Sequence, residues 1–595
     1  MAEQRFHSQT DSIEYKLRHL ARAHQAGDYD TAMSLAASVK DSLQFARQNS
    51  GPVAESAIPS DHRRPVADLP AAWRGQAEGW QWFRSLALHE TVGLARAGEI
   101  VELPLAVPAD EVHDLARELR LVRIDPQTKT LQEQPVQVDD VSRRGEFFHC
   151  RVVLAADVPA HGQSTYLLLT GNPAAELADW PTDLVVEGTG FGLDITNRHF
   201  VASLSRQMGQ LERLTLRREH GQELFAGGKG HGEPPTIDWS HDYVSQGGYQ
   251  KLRIRAWPTP PNWEVIRGPL AVRVRRWGFP ASPLHPVFAP ARMHMDQSYI
   301  FHAGQPYFLK EARFDVLDEL PVEAARDDEW VFSGYSFNEQ VWIDGQGKLQ
   351  EGKAPAEGAW GVGFYHRDSR DAFIALWLQH EAHGFGEPMR NPHASLHYDG
   401  HGQLWARYPV RKTTFPVGAS LVQKNAYVVS PFDQKSGAGE VEQLRHRLLN
   451  PLAVQAVPLP QLAARPGGRI ARTGEGAASA ALKEQLWAQL NTVRDEQLYG
   501  VTSGIVDLGY VRDVRFRRGT VEILLTMPHR GRPVADFLVW QGGGRVETGI
   551  REQLLSLPGV EEVLVRQTWE PAWTPGRLST KARQELGLPS AEGNG

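Results

Sequence analysis

Between about residue 80 and residue 450 the chain offers one short alternating apolar run after another, with no sustained helical period. EIVELPLAVP, LRLVRID, FFHCRVVLAADV and STYLLLTG come first, and DLVVEGTGFGLDITN, HFVASLS, KLRIRAW, LAVRVRRWGF, YFLKEARFDVL, AFIALWLQ and AYVVSP follow. A period of two marks a strand with one face in a core, and the Gly, Pro and Asp between the runs supply turns. Such a stretch has to fold as stacked antiparallel sheets. A sandwich of about 100 residues accounts for 75–175. The segment 180–450 is too long for a second one of that size and predicts a large two-sheet β domain.

The flanks differ. In SIEYKLRHLARAHQAGDYDTAMSLAASVKDSLQFA, apolar residues recur every three or four positions on either side of Gly27-Asp28. This predicts an α-hairpin within 1–58, which cannot bury its own face and must pack on the body or on a partner. A polar, Pro-containing stretch leads from it into the first sandwich. Residues 451–480 lose periodicity, gain Pro, Gly and Ala, and read as a linker. Beyond them ALKEQLWAQLNTV and GIREQLLSLPG read as helices, IVDLGYVRDVRFRRGTVEILLTMP as a hairpin and VEEVLVRQTWEP as a strand, which makes 481–590 a small α+β domain. The expected fold class is multidomain and mainly β, in keeping with 595 residues at roughly 100–200 per domain.

The net charge of −7 lacks the basic footprint of nucleic-acid binders. No run approaches the ~18 apolar residues of a membrane span, and the polar residues 1–24 have no apolar core of a secretory signal. The expectation is a cytoplasmic protein with no membrane or nucleic-acid partner. Cys150 is the one cysteine, so the chain forms no internal disulfide and no Cys-rich metal site.

In the C-terminal domain, VRDEQL (Val493–Leu498), GIVDLGYVRDV (Gly504–Val514), LTMP (Leu525–Pro528), LPGVEEVLVRQTWEPAW (Leu557–Trp573) and LSTKARQELG (Leu578–Gly587) stand in one order. These resemble the V-x-D-P-E-L, I-V-D-L-G-L-V, T-x-T-x-P, L-P-G-V-x-x-V…W-x-P-x-W and closing-helix motifs of the PaaD-like iron–sulfur-cluster-assembly domains. The resemblance implies that fold and a protein partner. It also implies a reactive cysteine after the T-x-T-x-P turn, where this chain has Pro528-His529-Arg530-Gly531-Arg532-Pro533. A thiolate is what holds iron or a cluster, so this departure speaks against simple cluster carriage. His529, Arg530 and Arg532 make an anion-binding turn or a solvated basic one. Asp507 is a binding candidate or a turn cap.

The middle region, through FGLDITNRHFVASLSRQMGQLERLTL (Phe191–Leu216), YIFHAGQPYFLKEARFDV (Tyr299–Val316) and GVGFYHRDSRDAFIALW (Gly361–Trp377), resembles the galactose-mutarotase-like supersandwich of carbohydrate-processing enzymes. That resemblance implies a sugar-like ligand but matches no catalytic motif.

Two side-chain groups suggest chemistry there. His380, His383, His393, His397 and His401 lie close in sequence, with Glu381 and Asp399 among them, and imidazole with carboxylate suits a divalent metal. In a regular strand His380 and His383 point apart, and a His-rich surface loop is the alternative. His241 and Tyr243 are candidates for base and acid in proton abstraction, with Trp239, Trp257 and Trp263 as stacking faces for a sugar. The alternative is that these aromatics fill the core. Three readings follow: an accessory or assembly protein for a metalloprotein or catabolic complex, a cytoplasmic lyase or hydrolase acting on carbohydrate, and a structural subunit of a larger complex.

Overall fold

The computed structural model describes residues 2–49, 57–176, 178, 180–205, 209–217, 240–245, 249–253, 262–279, 292–322, 326–331, 339–355, 358–385, 395–398, 403–407, 413–432, 434–461, 463–468, 470, 480–495, 498, 500–517, 519–528, 549–568 and 573–589. At the amino end, helices Ala2–Gln25 and Tyr29–Asn49 form the expected hairpin. Gly27 makes the turn at φ +77°, and the Asp28 carboxylate accepts from Thr31 N at 3.1 Å, starting the second helix.

The hairpin packs on the body through polar residues. Lys16 Nζ lies 3.2 Å from Asp315 and donates to Ser42 Oγ at 2.7 Å, with both members of the ion pair fully buried. Arg313 reaches Asp41 at 2.9 Å and Asp315 at 2.7 Å, while Ser12 and Ser420 donate to Asp315 and Asp41. Burial works against the Asp315 carboxylate, yet Arg313 and Lys16 outweigh it and hold its pKa well below the usual range.

The first sandwich has two sheets. One runs Arg64–Pro65, Trp82–His89, Gln163–Thr170, Leu119–Ile124, Leu131–Gln134; the other runs Arg96–Pro108, Phe147–Val158, Val136–Arg144. Alternate residues such as Leu103, Leu105, Val107 and Cys150, Val152, Leu154 meet Leu86, Leu88, Leu121 and Leu168 between them. Within 451–480, expected as a linker, Ala453–Ala456 adds a strand to this sandwich, pairing Leu86↔Ala456 through His89↔Ala453. Leu459, Ala464 and Ile470 then pack around buried Trp73. Four residues between prolines are too few to show a period, and the pairing partner lies far away in sequence.

The large domain is built on a nine-stranded antiparallel sheet. Its order is Asn262–Arg267, Ala271–Gly278, Met293–His302, Tyr307–Val316, Ser420–Pro431, Asp371–His383, Gly361–Tyr365, Glu339–Ile343, Leu349–Glu351. One face packs against the four-stranded sheet of Val185–Thr189, Gly192–Thr196, Phe200–Leu204 and Leu211–Leu216. Val272, Val274, Tyr299, Phe301, Phe308, Phe373 and Tyr427 meet Leu193, Ile195, Phe200, Leu211 and Leu214 there. A five-stranded sheet of Tyr249–Arg253, Ser240–Ser245, Arg326–Val331, Gln403–Arg407 and Ser395–Tyr398 is a third sheet in this region, one more than the two expected from the sequence. On the opposite face helix Gln434–Leu449 packs Val441 and Leu444 on Ile300, Leu309, Ile374 and Val428. This helix is not expected from the sequence, because Gly437 and Gly439 weaken the helical signal.

The C-terminal domain pairs Val511–Arg517 with Thr520–Thr526 antiparallel, and Thr520–Thr526 with Glu562–Thr568 parallel. A parallel pair needs a crossover, and helix Ile550–Leu555 lies on it. Helices Ala480–Leu490 and Thr580–Glu585 close the core around Leu486, Leu490, Ile505, Val521, Ile523, Leu554 and Ala582. The domain docks on the rest through Arg512 to Asp114 (3.2 Å), Arg515 to Ala178 O (3.2 Å) and Arg267 to Val565 O (3.2 Å).

Candidate functional site

In the C-terminal domain the recognised motifs hold one another. The Asp507 carboxylate accepts from Asn491 Nδ2 at 2.9 Å, the Asp507 N–H donates to Asn491 Oδ1 at 3.0 Å, and Asp507 O accepts from Ser579 N at 2.8 Å. Asp507 therefore clasps the turn to the first and last helices. Gly504 sits so close beneath it that a Cβ would meet Asn491 O at 1.8 Å. Tyr510 donates to buried Asp495 at 2.9 Å, Trp573 Nε1 to Leu508 O at 2.9 Å, and Arg577 Nε to Gly509 O at 2.9 Å. Glu585 accepts from Thr502 N and Ser503 N at 2.9 Å each, and the Thr502 hydroxyl and these amides hold its pKa at about 2. His529, Arg530 and Arg532 lie outside the described residues.

A second group stands on the inner face of the nine-stranded sheet. Register places Arg276, Gln297, Ala312, Gln423 and His380 in one row across five strands, and Val274, Tyr299, Lys310, Asn425 and Trp377 in the next. Lys310, Asn425, Gln423, Arg276 and Gln297 are all buried. Asn425 Nδ2 donates to Tyr427 Oη at 3.2 Å, and the Arg276 guanidinium lies 5.6 Å from the Tyr299 ring centre. The following row, Val272, Phe301, Phe308, Tyr427 and Ala375, is apolar or aromatic. Polar groups aligned at the edge of an aromatic floor offer directed hydrogen bonds beside a flat apolar surface. This row is not among the residues that the sequence singles out. Its signal was Lys310 between Phe308 and Ala312 at i±2, a charge on an otherwise apolar strand face.

Of the histidine group, the described members His380, His383 and His397 stand in different places. The bulge in strand Asp371–His383 lies between Trp377 and Gln379, so the strand is regular from 379 to 383. His380 then opposes Gln423 and His383 opposes Ser420, on opposite faces, and no single ion reaches both. His383 is half exposed, with Nε2 3.6 Å from Glu381. His397 lies in a different sheet, paired with Trp405. His393 and His401 lie outside the described residues. Among the described residues, no three His, Cys, Asp or Glu side chains are grouped to hold a metal. His241 opposes Leu252, and Tyr243 falls at the register shift between Asp242 and Val244. Trp239 and Trp257 lie outside the described residues. Trp263 is partly buried and packs edge-on against Phe191 at 5.8 Å, at the border of the core.

No family model matches the chain. The Fe–S protein maturation auxiliary factor YitW of Bacillus subtilis is 34% identical over 109 residues, which cover 18% of this chain and 96% of that protein. The C-terminal domain belongs to the family of Fe–S protein maturation auxiliary factors. For the rest of the chain, a protein in glycosyl hydrolase family 38 from Enterococcus faecalis is 10% identical over 75% of this chain and 54% of its own, with a TM-score of 0.41. The galactose 1-epimerase of Lactobacillus acidophilus is 7% identical over 43% of this chain and all of its own, with a TM-score of 0.25.

A maturation-factor domain without its own thiol raises the question of whether Cys150 substitutes for it. It does not. Cys150 is fully buried in the first sandwich beside Leu105 and Val152, and burial pushes its thiol well above the usual pKa. The residues present do not fit an iron–sulfur cluster, because iron in such clusters is held by thiolates and the chain has none to offer. Among the described residues, no helix is long and apolar enough to cross a membrane.

Proposed function

We propose that the chain assists the maturation of iron–sulfur proteins without carrying a cluster itself. Its C-terminal domain engages a client or an assembly partner, and the β body serves as a recognition surface. The supporting observation is that the motif residues still clasp one another through Asp507, Asn491, Trp573 and Arg577 while the family's thiol position is empty of cysteine. A domain kept for its shape but not for its nucleophile fits docking. The test is a strain lacking the chain, scored for radioactive iron incorporated into its iron–sulfur enzymes. Incorporation is expected to fall and to be restored both by the native chain and by Cys150→Ala. Unchanged incorporation in the deletion strain overturns the reading.

The polar rows on the nine-stranded sheet favour a second reading, in which the β body binds or processes a polyhydroxylated ligand. Hydroxyl-rich molecules need directed donors and acceptors next to an apolar floor, and Gln297, Gln423 and Asn425 stand beside Tyr299, Phe301 and Tyr427. Ligand-observed NMR of the whole chain with galactose and galacturonate tests it. Saturable binding lost in Asn425→Leu supports the reading, whereas binding untouched by that change places the sugar elsewhere.

A further inference from the structure

We infer that the cleft under helix Gln434–Leu449 is a binding site for a small organic monocarboxylate with a short apolar body. The cleft holds about 370 Å³ and lies where three parts of the molecule meet. Leu94 and Ala95 come from the first sandwich, Gln305 and Pro306 from the turn between two central strands, and Phe432, Val441, Leu444 and Arg447 from the end of the sheet and the helix. That volume falls within the roughly 300–1,000 Å³ typical of small-molecule sites, which favour domain junctions.

Two neighbouring arginines differ in what they leave free. Arg96 is saturated: it bonds Glu99 at 2.7 Å and Glu90 at 3.1 Å, and it donates to Leu94 O, Arg447 O and Asn450 O. In doing so it also occupies one carbonyl of the helix's last turn, Arg447 O, and Asn450 O just beyond it. Arg447 lines the same cleft, and its guanidinium makes no hydrogen bond or ion pair with any described residue; its Nε is buried without a partner. A half-buried guanidinium left unmatched is costly, and its fork suits a carboxylate. The wall beside it is apolar, with Val428, Phe432, Val441 and Leu444 each buried. Glu440 lies two helical turns before Arg447 and is exposed on the same cleft, so a second anionic group on the ligand would meet a like charge. One carboxylate and an apolar body is the chemistry that satisfies all three features.

Isothermal titration of the full chain with 3-phenylpropanoate tests this, beside its neutral amide and the dianion 1,4-phenylenediacetate. The expected result is saturable binding of the monoanion, with the amide and the dianion each weaker by about tenfold or more. Arg447→Met is expected to bring the monoanion down to the affinity of the amide and leave the amide unchanged. Equal affinity for acid and amide, or no saturable binding of the acid at millimolar concentration, overturns the inference. If Arg447→Met does not fold, the unmodified chain still decides. Photolabelling with 4-azidobenzoate is expected to mark peptides within 94–96 or 428–447, and 3-phenylpropanoate is expected to protect them. Labelling confined to other peptides overturns the site.

Discussion

The large β domain and the C-terminal domain use polar side chains for opposite purposes. In the C-terminal domain such groups hold backbone: Asp507 with Asn491, Glu585 with the amides of residues 502 and 503, and Trp573 and Arg577 with turn carbonyls. Each needs one residue type at one position, so the fold leaves a spelled-out motif. In the large domain the buried charges hold other side chains across sheet faces, as Arg313, Asp315 and Lys16 do, and many arrangements of charge serve that end equally well. Function inherits this difference. A motif names a family, whereas a row of side chains on a sheet becomes visible only when the register is known.

Breaking each kind of contact sharpens the comparison. The largest effect is expected at Asp315, where Ala leaves Lys16 buried without an ion-pair partner at contact distance and Arg313 with Asp41 alone, a loss of about 3–5 kcal/mol. Hydrogen exchange is then expected to rise across 12–49 as the hairpin lifts, and unchanged protection there would deny the ion network that role. His294 comes next. Burial pushes its pKa down to about 4, against the neighbouring Asp315 and Asp296 that favour its charged form. Because the unfolded chain takes up the proton first, stability is expected to fall as pH drops from about 6.5 to about 4, by up to about 3 kcal/mol. Denaturant titrations of His294→Gln across that range are expected to show a shallower slope.

Asp507→Ala is expected to cost about 1–3 kcal/mol, since it leaves Asn491 Nδ2 without its carboxylate acceptor. Exchange should rise in the C-terminal domain alone, and a double change with Asn491→Ala should cost less than the two single costs combined. A smaller effect belongs to Glu585. Its folded pKa of about 2 lies below the unfolded value, so its stabilising contribution is present above about 4.5 and lost as pH falls towards 2. Glu585→Gln should flatten that part of the acid-unfolding curve. Cys150→Ala is expected to change stability by no more than about 1 kcal/mol and to leave iron incorporation intact.

The strands were legible because Leu103, Leu105 and Val107, or Phe308, Ala312 and Phe314, repeat at the period the pleat imposes. The strand Ala453–Ala456 was not, since its reason for existing is Trp82–His89, far upstream. Asp507 could be read as a site candidate from its motif, but its link to Asn491 could not, because the turn that joins them follows no local period. That His380 and His383 face opposite ways could be read from their spacing, but that the strand between them is regular could not, because the bulge falls just before them.

The pairing of Ala453–Ala456 with Trp82–His89 has a consequence for how the molecule comes into being. The first sandwich remains one strand short until the large domain has left the ribosome. Its edge at Leu86–His89 is then an open template that the emerging β-rich chain can occupy wrongly. Closing that edge last ties completion of the amino-terminal half to prior folding of what is threaded through it, so nascent chains halted before residue 453 should be the ones that aggregate or need a chaperone.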